Sequence, residues 1–208
     1  MRATQVPTRW HSGAMEPFEV TDGVVLLSVP GPADVDRITA LCQDPAIQEW
    51  TTVPSPYARA DGEGFVSGMV ADGWAAGSSL NWAVRVDGEL VGMVGLAMEG
   101  AGSAEIGYWL APDRRGQGLM SRAVALVVDA AFGRLGLDRL SWRAYVGNLP
   151  SRAVAERAGF RVEGEVRGGG VQRGVRRDEW LGTLLRSDTP GAPPRNPSPG
   201  GDRAKMAG

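Results

Sequence analysis

The chain has 208 residues, 43% of them hydrophobic and 22% charged, with a formal net charge of −2. That is the make-up of an ordinary globular domain with a sizeable core, and its near-neutral balance gives no general attraction to nucleic acid or to an anionic membrane. Cys42 is the only cysteine and His11 the only histidine, which excludes an internal disulfide and argues against a Cys–His pair, a Ser-His-Asp triad or a histidine-ligated metal; no metal is expected.

No run of about 18 apolar residues could span a membrane. The first 17 residues lack the apolar centre of a signal peptide, so the expected location is the cytoplasm. Residues 1–19 read as a flexible leader and 20–186 as the folded domain. The stretch 187–208, rich in Pro and Gly, reads as a disordered tail.

Val24 to Val29 is an apolar run that predicts a first strand. Pro32 to Cys42 places Val35, Ile38, Leu41 and Cys42 at helical spacing, and Pro54 and Pro56 mark a loop. Ala58 to Trp74 predicts a second helix with Phe65, Val66, Met69 and Val70 on one side. Leu80 to Val86 alternates like a strand, Asp87-Gly88 is a type I′ hairpin signal, and Leu90 to Leu96 returns beside it. Ala104 to Leu110 adds a third strand.

Here the period changes. Gly118 to Leu135 carries Leu119, Ala123, Leu126, Val127, Ala130 and Ala131 on one helical stripe. Arg139 to Ala144 predicts a strand. Asn148 is placed to cap a helix with Pro150 in its first turn, and that helix should stop at Gly159. Phe160 to Val166 and Asp178 to Leu185 predict closing strands. An antiparallel meander followed by a β-α-β-α-β run is a mixed α/β (α+β) sheet, mostly antiparallel and flanked by helices.

The stretch from Ile106 to Met120 is the most informative. An apolar strand runs into Pro112, then into the basic, glycine-rich turn Arg115-Gly116-Gln117-Gly118, then into a long helix. This order puts free backbone N–H groups at a helix N-terminus beside two arginines, which suits phosphate; an ordinary tight strand-to-helix turn has the same residues.

This turn, with the segment from Asn148 to Phe160 downstream, resembles the GNAT acetyltransferase superfamily. The segment has an asparagine, a small residue three later (Ser151), and a terminal Gly159-Phe160. Gly107-Tyr108-Trp109-Leu110, Gly116 to Ser121 and Val162-Glu163-Gly164 look most like the RimJ/RimL-type ribosomal-protein N-terminal acetyltransferases. The resemblance covers roughly residues 24–186. It implies the GNAT fold and acetyl-CoA as cosubstrate. Arg115, Gly116, Gln117, Gly118, Leu119, Met120 and Ser121 would hold the CoA pyrophosphate. The backbone of Trp109, Leu110 and Ala111 would pair with the pantetheine arm, a Leu110 N–H polarising the acetyl carbonyl. Three positions depart from the pattern: Asp113 stands where the longer phosphate motif begins with Gln or Arg, Ala155 where many members carry a tyrosine, and Gly170 where the RimL-like branch has a glutamate.

Acetyl transfer to an amine needs a proton acceptor, a polarised carbonyl, a stabilised leaving thiolate and held reactants. Ser151 is the candidate to protonate the thiolate, a role the resemblance supplies; an ordinary first-turn helix serine looks the same. Asn148 either touches the pantetheine arm or substrate, or only caps its helix. Glu105 is the best remaining base, if burial raises its pKa; a solvated carboxylate or a salt-bridge partner fits as well. Tyr108 and Tyr145 are weaker proton-transfer candidates. Trp50, Trp74 and Trp82 either pack in the core or line an acceptor slot. Glu163, Glu165, Asp178 and Glu179 either attract a cationic amine or form a solvated acidic face.

The expected activity is acetyl transfer to a primary amine, either a protein N-terminal α-amine or a small-molecule amine. The alternatives are a larger acyl group such as succinyl, antibiotic modification, or a CoA-binding sensor without turnover. Apolar sheet edges are compatible with a homodimer.

Overall fold

The computed structural model describes residues 15–189; most of the expected leader and tail lie outside the described residues. One eight-stranded mixed sheet runs through the domain in the order β1-β2-β3-β4-β5-β6-β8-β7. Its strands are β1 Val20–Thr21, β2 Leu26–Ser28, β3 Ser79–Val86, β4 Glu89–Gly100, β5 Ser103–Leu110, β6 Arg139–Tyr145, β7 Arg161–Gln172 and β8 Val175–Leu185. The helices are α1 Val35–Leu41, α2 Pro45–Trp50, α3 Arg59–Gly64, α4 Ala71–Ala76, α5 Leu119–Phe132 and α6 Leu149–Arg157.

β3 and β4 form the expected hairpin. Asp87 and Gly88 both take positive φ, 50° and 80°, as a type I′ turn requires. Arg173 and Gly174 do the same at the β7–β8 turn, with φ of 48° and 80°. Only β5 and β6 pair in parallel; every other neighbour is antiparallel. A parallel pair needs a crossover connection, and α5 supplies it.

Strand alternation sends side chains to two cores. Trp82, Val84, Val94, Leu96 and Ile106 meet the apolar stripe of α5 on one face. Ala83 and Met93 meet α1, Ile47 and Tyr57 on the other.

Several expectations need correction. The ordered chain reaches back beyond residue 20. The Met15 N–H donates to the Trp74 carbonyl at 3.1 Å, and Phe18 is buried edge-on against both Trp74 and Trp82. The start of the tail is likewise ordered: Arg186–Asp188 forms a 3-10 turn, and Arg186 donates twice to the Leu137 carbonyl. The helix expected over Ala58 to Trp74 contains a π-helical stretch, Phe65–Val70, between α3 and α4. α2 was not expected at all. β7 runs six residues past Val166, because two register shifts let its glycine-rich stretch follow β8.

Candidate active site

β5 and β6 pair only over Ser103–Ile106 and Arg139–Trp142. Beyond that point the two strands fork. Ala111 N–H is bound to the Val91 carbonyl at 2.8 Å on the β4 side. Backbone groups alternate along a strand, so the Leu110 N–H faces the fork. The Leu110 carbonyl takes Arg115 Nε at 3.2 Å. Ala111 therefore does not offer backbone to a ligand as expected: its N–H is spent on Val91, its carbonyl accepts from Arg114 N, and its side chain is fully buried. Leu110 and Trp109 do line the cavity at the fork, a space of about 620 Å³.

The phosphate-type turn closes one end of that cavity. Gly116 and Gly118 have φ of 75° and 76°, a left-handed conformation that favours glycine. Nothing lies within 4 Å of the place a Cβ would take on either residue, so the approach to the turn is open. The first α5 hydrogen bond runs from Arg122 N–H to the Gly118 carbonyl. The N–H groups of Leu119, Met120 and Ser121 therefore have no intrahelical acceptor, and they stand at the positive end of a 14-residue helix. Leu119 and Met120 anchor the turn with buried side chains. Gln117 does not line the cavity; it braces the turn through Nε2 to the Asp113 carbonyl at 2.9 Å. Arg115 does line it, and its Nη2 reaches Asp44 at 2.6 Å. Burial alone would raise the Asp44 carboxyl; the Arg115 bond and the Ile47 N–H hold it below its usual value.

Ser151 sits where the fork meets α6. Trp142 Nε1 donates to its Oγ at 3.1 Å. The Oγ donates to the Tyr108 hydroxyl at 3.3 Å, and that hydroxyl donates to the Ser151 carbonyl at 2.8 Å. Burial pushes the Tyr108 phenol up to about 12, although its bonds with Ser151 and Trp142 pull the other way. It stays protonated at neutral pH and fixes the serine hydroxyl. Tyr108 thus contacts the Ser151 candidate directly, which the sequence did not suggest. Asn148 does cap α6, its Oδ1 accepting from Ser151 N–H at 3.2 Å. Its amide nitrogen has no hydrogen-bond partner among the described residues, and Asn148 lines the cavity.

A second cavity of about 390 Å³ shares Trp50, Thr51, Tyr108, Trp109, Asn148 and Ser151 with the first. Glu105, Arg143 and Glu179 are its charged lining residues. Arg143 bridges the two carboxylates, Nε to Glu105 Oε2 at 3.2 Å and Nη1 to Glu179 Oε2 at 3.6 Å. Burial raises the Glu105 carboxyl above its ordinary value, with Arg143 opposing and Glu99 and Glu179 adding to the rise. A side chain on Gly170 would meet the Glu179 carboxylate and the Tyr145 ring, so it would need both to move.

Of the other acidic candidates, Glu163 bonds to Thr183 and Asp178 accepts from Gly168 N–H at 2.6 Å. Neither lines the cavity, nor does Glu165. Trp74 and Trp82 are core residues, 2% and 0% exposed, and Trp82 Nε1 donates to the Phe18 carbonyl. Trp50 lines both cavities. Sequence reading missed the α2 wall that carries it. The Asp44-Pro45 pair was the available signal, a capping carboxylate before a proline at the first helical position; Asp44 Oδ1 indeed accepts from Ile47 N–H at 2.9 Å.

The model of the acetyltransferase (GNAT) domain matches residues 25–161, more than half the chain. The chain belongs to the GNAT family. Two Bacillus subtilis (strain 168) relatives match this GNAT domain in part. The protein named "putative ribosomal N-acetyltransferase YdaF" is 39% identical over 107 residues, 50% of this chain and 58% of that protein. "Probable N-acetyltransferase YjcK" is 40% identical over 105 residues, 49% and 58% of the two chains. The chain thus spans little more than half the length of these relatives. The solved structure of Mycobacterium smegmatis RimJ in complex with CoA-disulfide superposes with a TM-score of 0.75 at 28% identity, covering 85% of this chain and 89% of that one.

Proposed function

We propose that this GNAT protein transfers the acetyl group of acetyl-CoA directly to a primary amine, and that the acceptor is a protein N-terminal α-amine. One observation carries the proposal: a forked strand pair opens onto a helix N-terminus with free N–H groups, with a cavity on either side of the fork. CoA fits the residues present. Three N–H groups and Arg115 suit a pyrophosphate, and the open Leu110 N–H suits an arm added as a strand. The CoA named with the RimJ structure supports the donor, and the name of YdaF supports a ribosomal-protein acceptor.

The donor supplies an acetyl thioester; its C–S bond breaks as the N–C bond forms, the amine gives up a proton and the sulfur takes one. In this reading Leu110 N–H faces the carbonyl oxygen as charge grows on it. The Ser151 hydroxyl turns from Tyr108 to the departing sulfur, while Trp142 keeps its oxygen in place. Glu105, held by Arg143 on the acceptor side, takes the amine proton directly or through water. Asn148 Nδ2 orients the arm or the acceptor.

Incubation with acetyl-CoA and a panel of N-terminal peptides and small amines, following free thiol, tests this reading. Thiol release with peptides supports it. Release with small amines alone moves the acceptor class, release only with a larger acyl-CoA moves the donor, and CoA binding without release with any acceptor rejects transfer. That last outcome is the one that Ala155 and Gly170, in place of the family's tyrosine and glutamate, would favour.

A further inference from the structure

α2 has only six residues, Pro45–Trp50, too few to be stable alone. Its last carbonyls have no intrahelical partner, yet almost all are satisfied from elsewhere. Thr51 Oγ1 takes the Ile47 carbonyl at 2.6 Å. Those of Gln48 and Glu49 are met by the tip of the β7–β8 hairpin, more than a hundred residues later. The two N–H groups of Gln172 Nε2 are shared among the carbonyls of Gln48, Glu49 and Thr51, at 3.2, 2.8 and 2.7 Å. Arg173 Nη2 donates to Gln48 and Val53 at 2.8 and 3.0 Å. Arg177 Nη1 donates to Gln172 Oε1 at 2.7 Å, which fixes the amide so that its nitrogen faces α2.

Gln172 is one of the few buried polar side chains, 7% exposed. Its location explains why so much polar bonding is concentrated there. The helix end it grips carries Trp50 and Thr51, which line both cavities. The half-buried Trp50 ring lies over Gly147, where a Cβ would stand 3.4 Å from it, and the Arg177 guanidinium lies 5.6 Å from its centre.

We propose that Gln172 is a positioning residue for acceptor selection: by capping the end of α2 it sets how far Trp50 and Thr51 intrude where the two cavities meet, and so which acceptors fit. The proposal rests on the transferase reading above and adds the element that sets acceptor fit. Gln172 touches neither donor nor acceptor and acts through the α2 wall.

The test is steady-state kinetics on wild type and on Gln172→Met, which keeps the side chain's length and loses its donors, with peptides whose first residue ranges from Gly to Trp. The expected result is a rise of about tenfold in acceptor KM for small-residue peptides and a narrowed preference between small and large ones. The kcat and the acetyl-CoA KM should stay within about twofold. Trp50→Ala should shift the preference between small and large peptides in the same direction, and the double variant should be non-additive for that preference. Arg173→Ala changes an exposed position, so it should fold as the wild type does, and should show a smaller shift in the same direction. If both Gln172→Met and Arg173→Ala keep the wild-type acceptor profile, or lose kcat and both KM values together, Gln172 is only structural. If Gln172→Met does not fold, Arg173→Ala alone decides in the same way. A wild type that releases no thiol with any acceptor would defeat the transferase reading, and this proposal with it.

Discussion

Ser151→Ala separates chemistry from packing. It removes the acceptor of the Trp142 indole N–H, in a side chain that is 1% exposed. A buried donor left with no acceptor costs about 1–3 kcal/mol, and the Tyr108 hydroxyl beside the indole makes that the upper bound. In a domain of this size each kcal/mol lowers Tm by roughly 2–4 °C, so the variant should melt lower by at most about 12 °C. The α6 cap survives, because Asn148 accepts from the backbone N–H of Ser151, and Tyr108 keeps its bond to the Ser151 carbonyl. None of the turn that would hold CoA is touched, so CoA affinity should stay within about twofold. Loss of the hydroxyl at the departing sulfur should lower kcat by about a hundredfold, the lower end for a positioned proton donor. Trp142→Phe keeps the hydroxyl but loses its anchor and leaves a cavity in place of a fully buried indole, so it should melt lower while keeping most of its kcat. Melting curves, CoA titration and thiol release read the three effects apart. A Ser151→Ala protein that melts lower but turns over like wild type would remove Ser151 from the mechanism.

Gly118→Val forces a β-branched residue into a left-handed conformation, costing at least about 1–2 kcal/mol, and puts a side chain over the free N–H groups; CoA-induced stabilisation should vanish in a thermal-shift assay. Glu105 must be ionised to accept a proton, and burial raises its carboxyl, so kcat/KM should fall on the acid side with a limb above the ordinary carboxylate value. Glu105→Gln should lower turnover and abolish that limb; a limb that persists assigns the proton to another group. Burial alone would raise the Asp34 carboxyl, but the bidentate Arg85 and the Gly31 N–H bring it below its usual value. A lowered folded value gives stability that is present above the unfolded value near 3.8 and lost as pH falls through the folded one. Asp34→Asn should therefore flatten the loss of stability below about pH 5 in urea titrations.

The parts legible in the sequence were those fixed by local rules. Asp87-Gly88 needs positive φ twice, Asn148 needs only its own helix, and the turn at Gly116 and Gly118 is defined by backbone conformation. Elements held by distant partners were not legible. α2 has a local cap in Asp44, but Asp44 is held by Arg115 and the far end of the helix by Gln172. The far half of β7 is a strand only because β8 pairs with it; on its own, Gly168-Gly169-Gly170 reads as a loop. The π-helical stretch breaks the 3.6-residue period by a single residue, below what periodicity resolves. Within the site, chain order gave Ser151 and Glu105 as separate candidates, but not that Tyr108 holds one and Arg143 the other. Ala111 failed for a strand-level reason: it belongs to the β4 side of the alternation.

Calorimetric titration of CoA, beside pantetheine as a probe that lacks the nucleotide and pyrophosphate, tests the central claim most directly. If the fork and the α5 N-terminus form the donor slot, CoA binds at one site per chain and pantetheine binds far more weakly, because the turn's N–H groups and Arg115 have nothing to hold. Equal affinity for the two, or no heat with either, would contradict it.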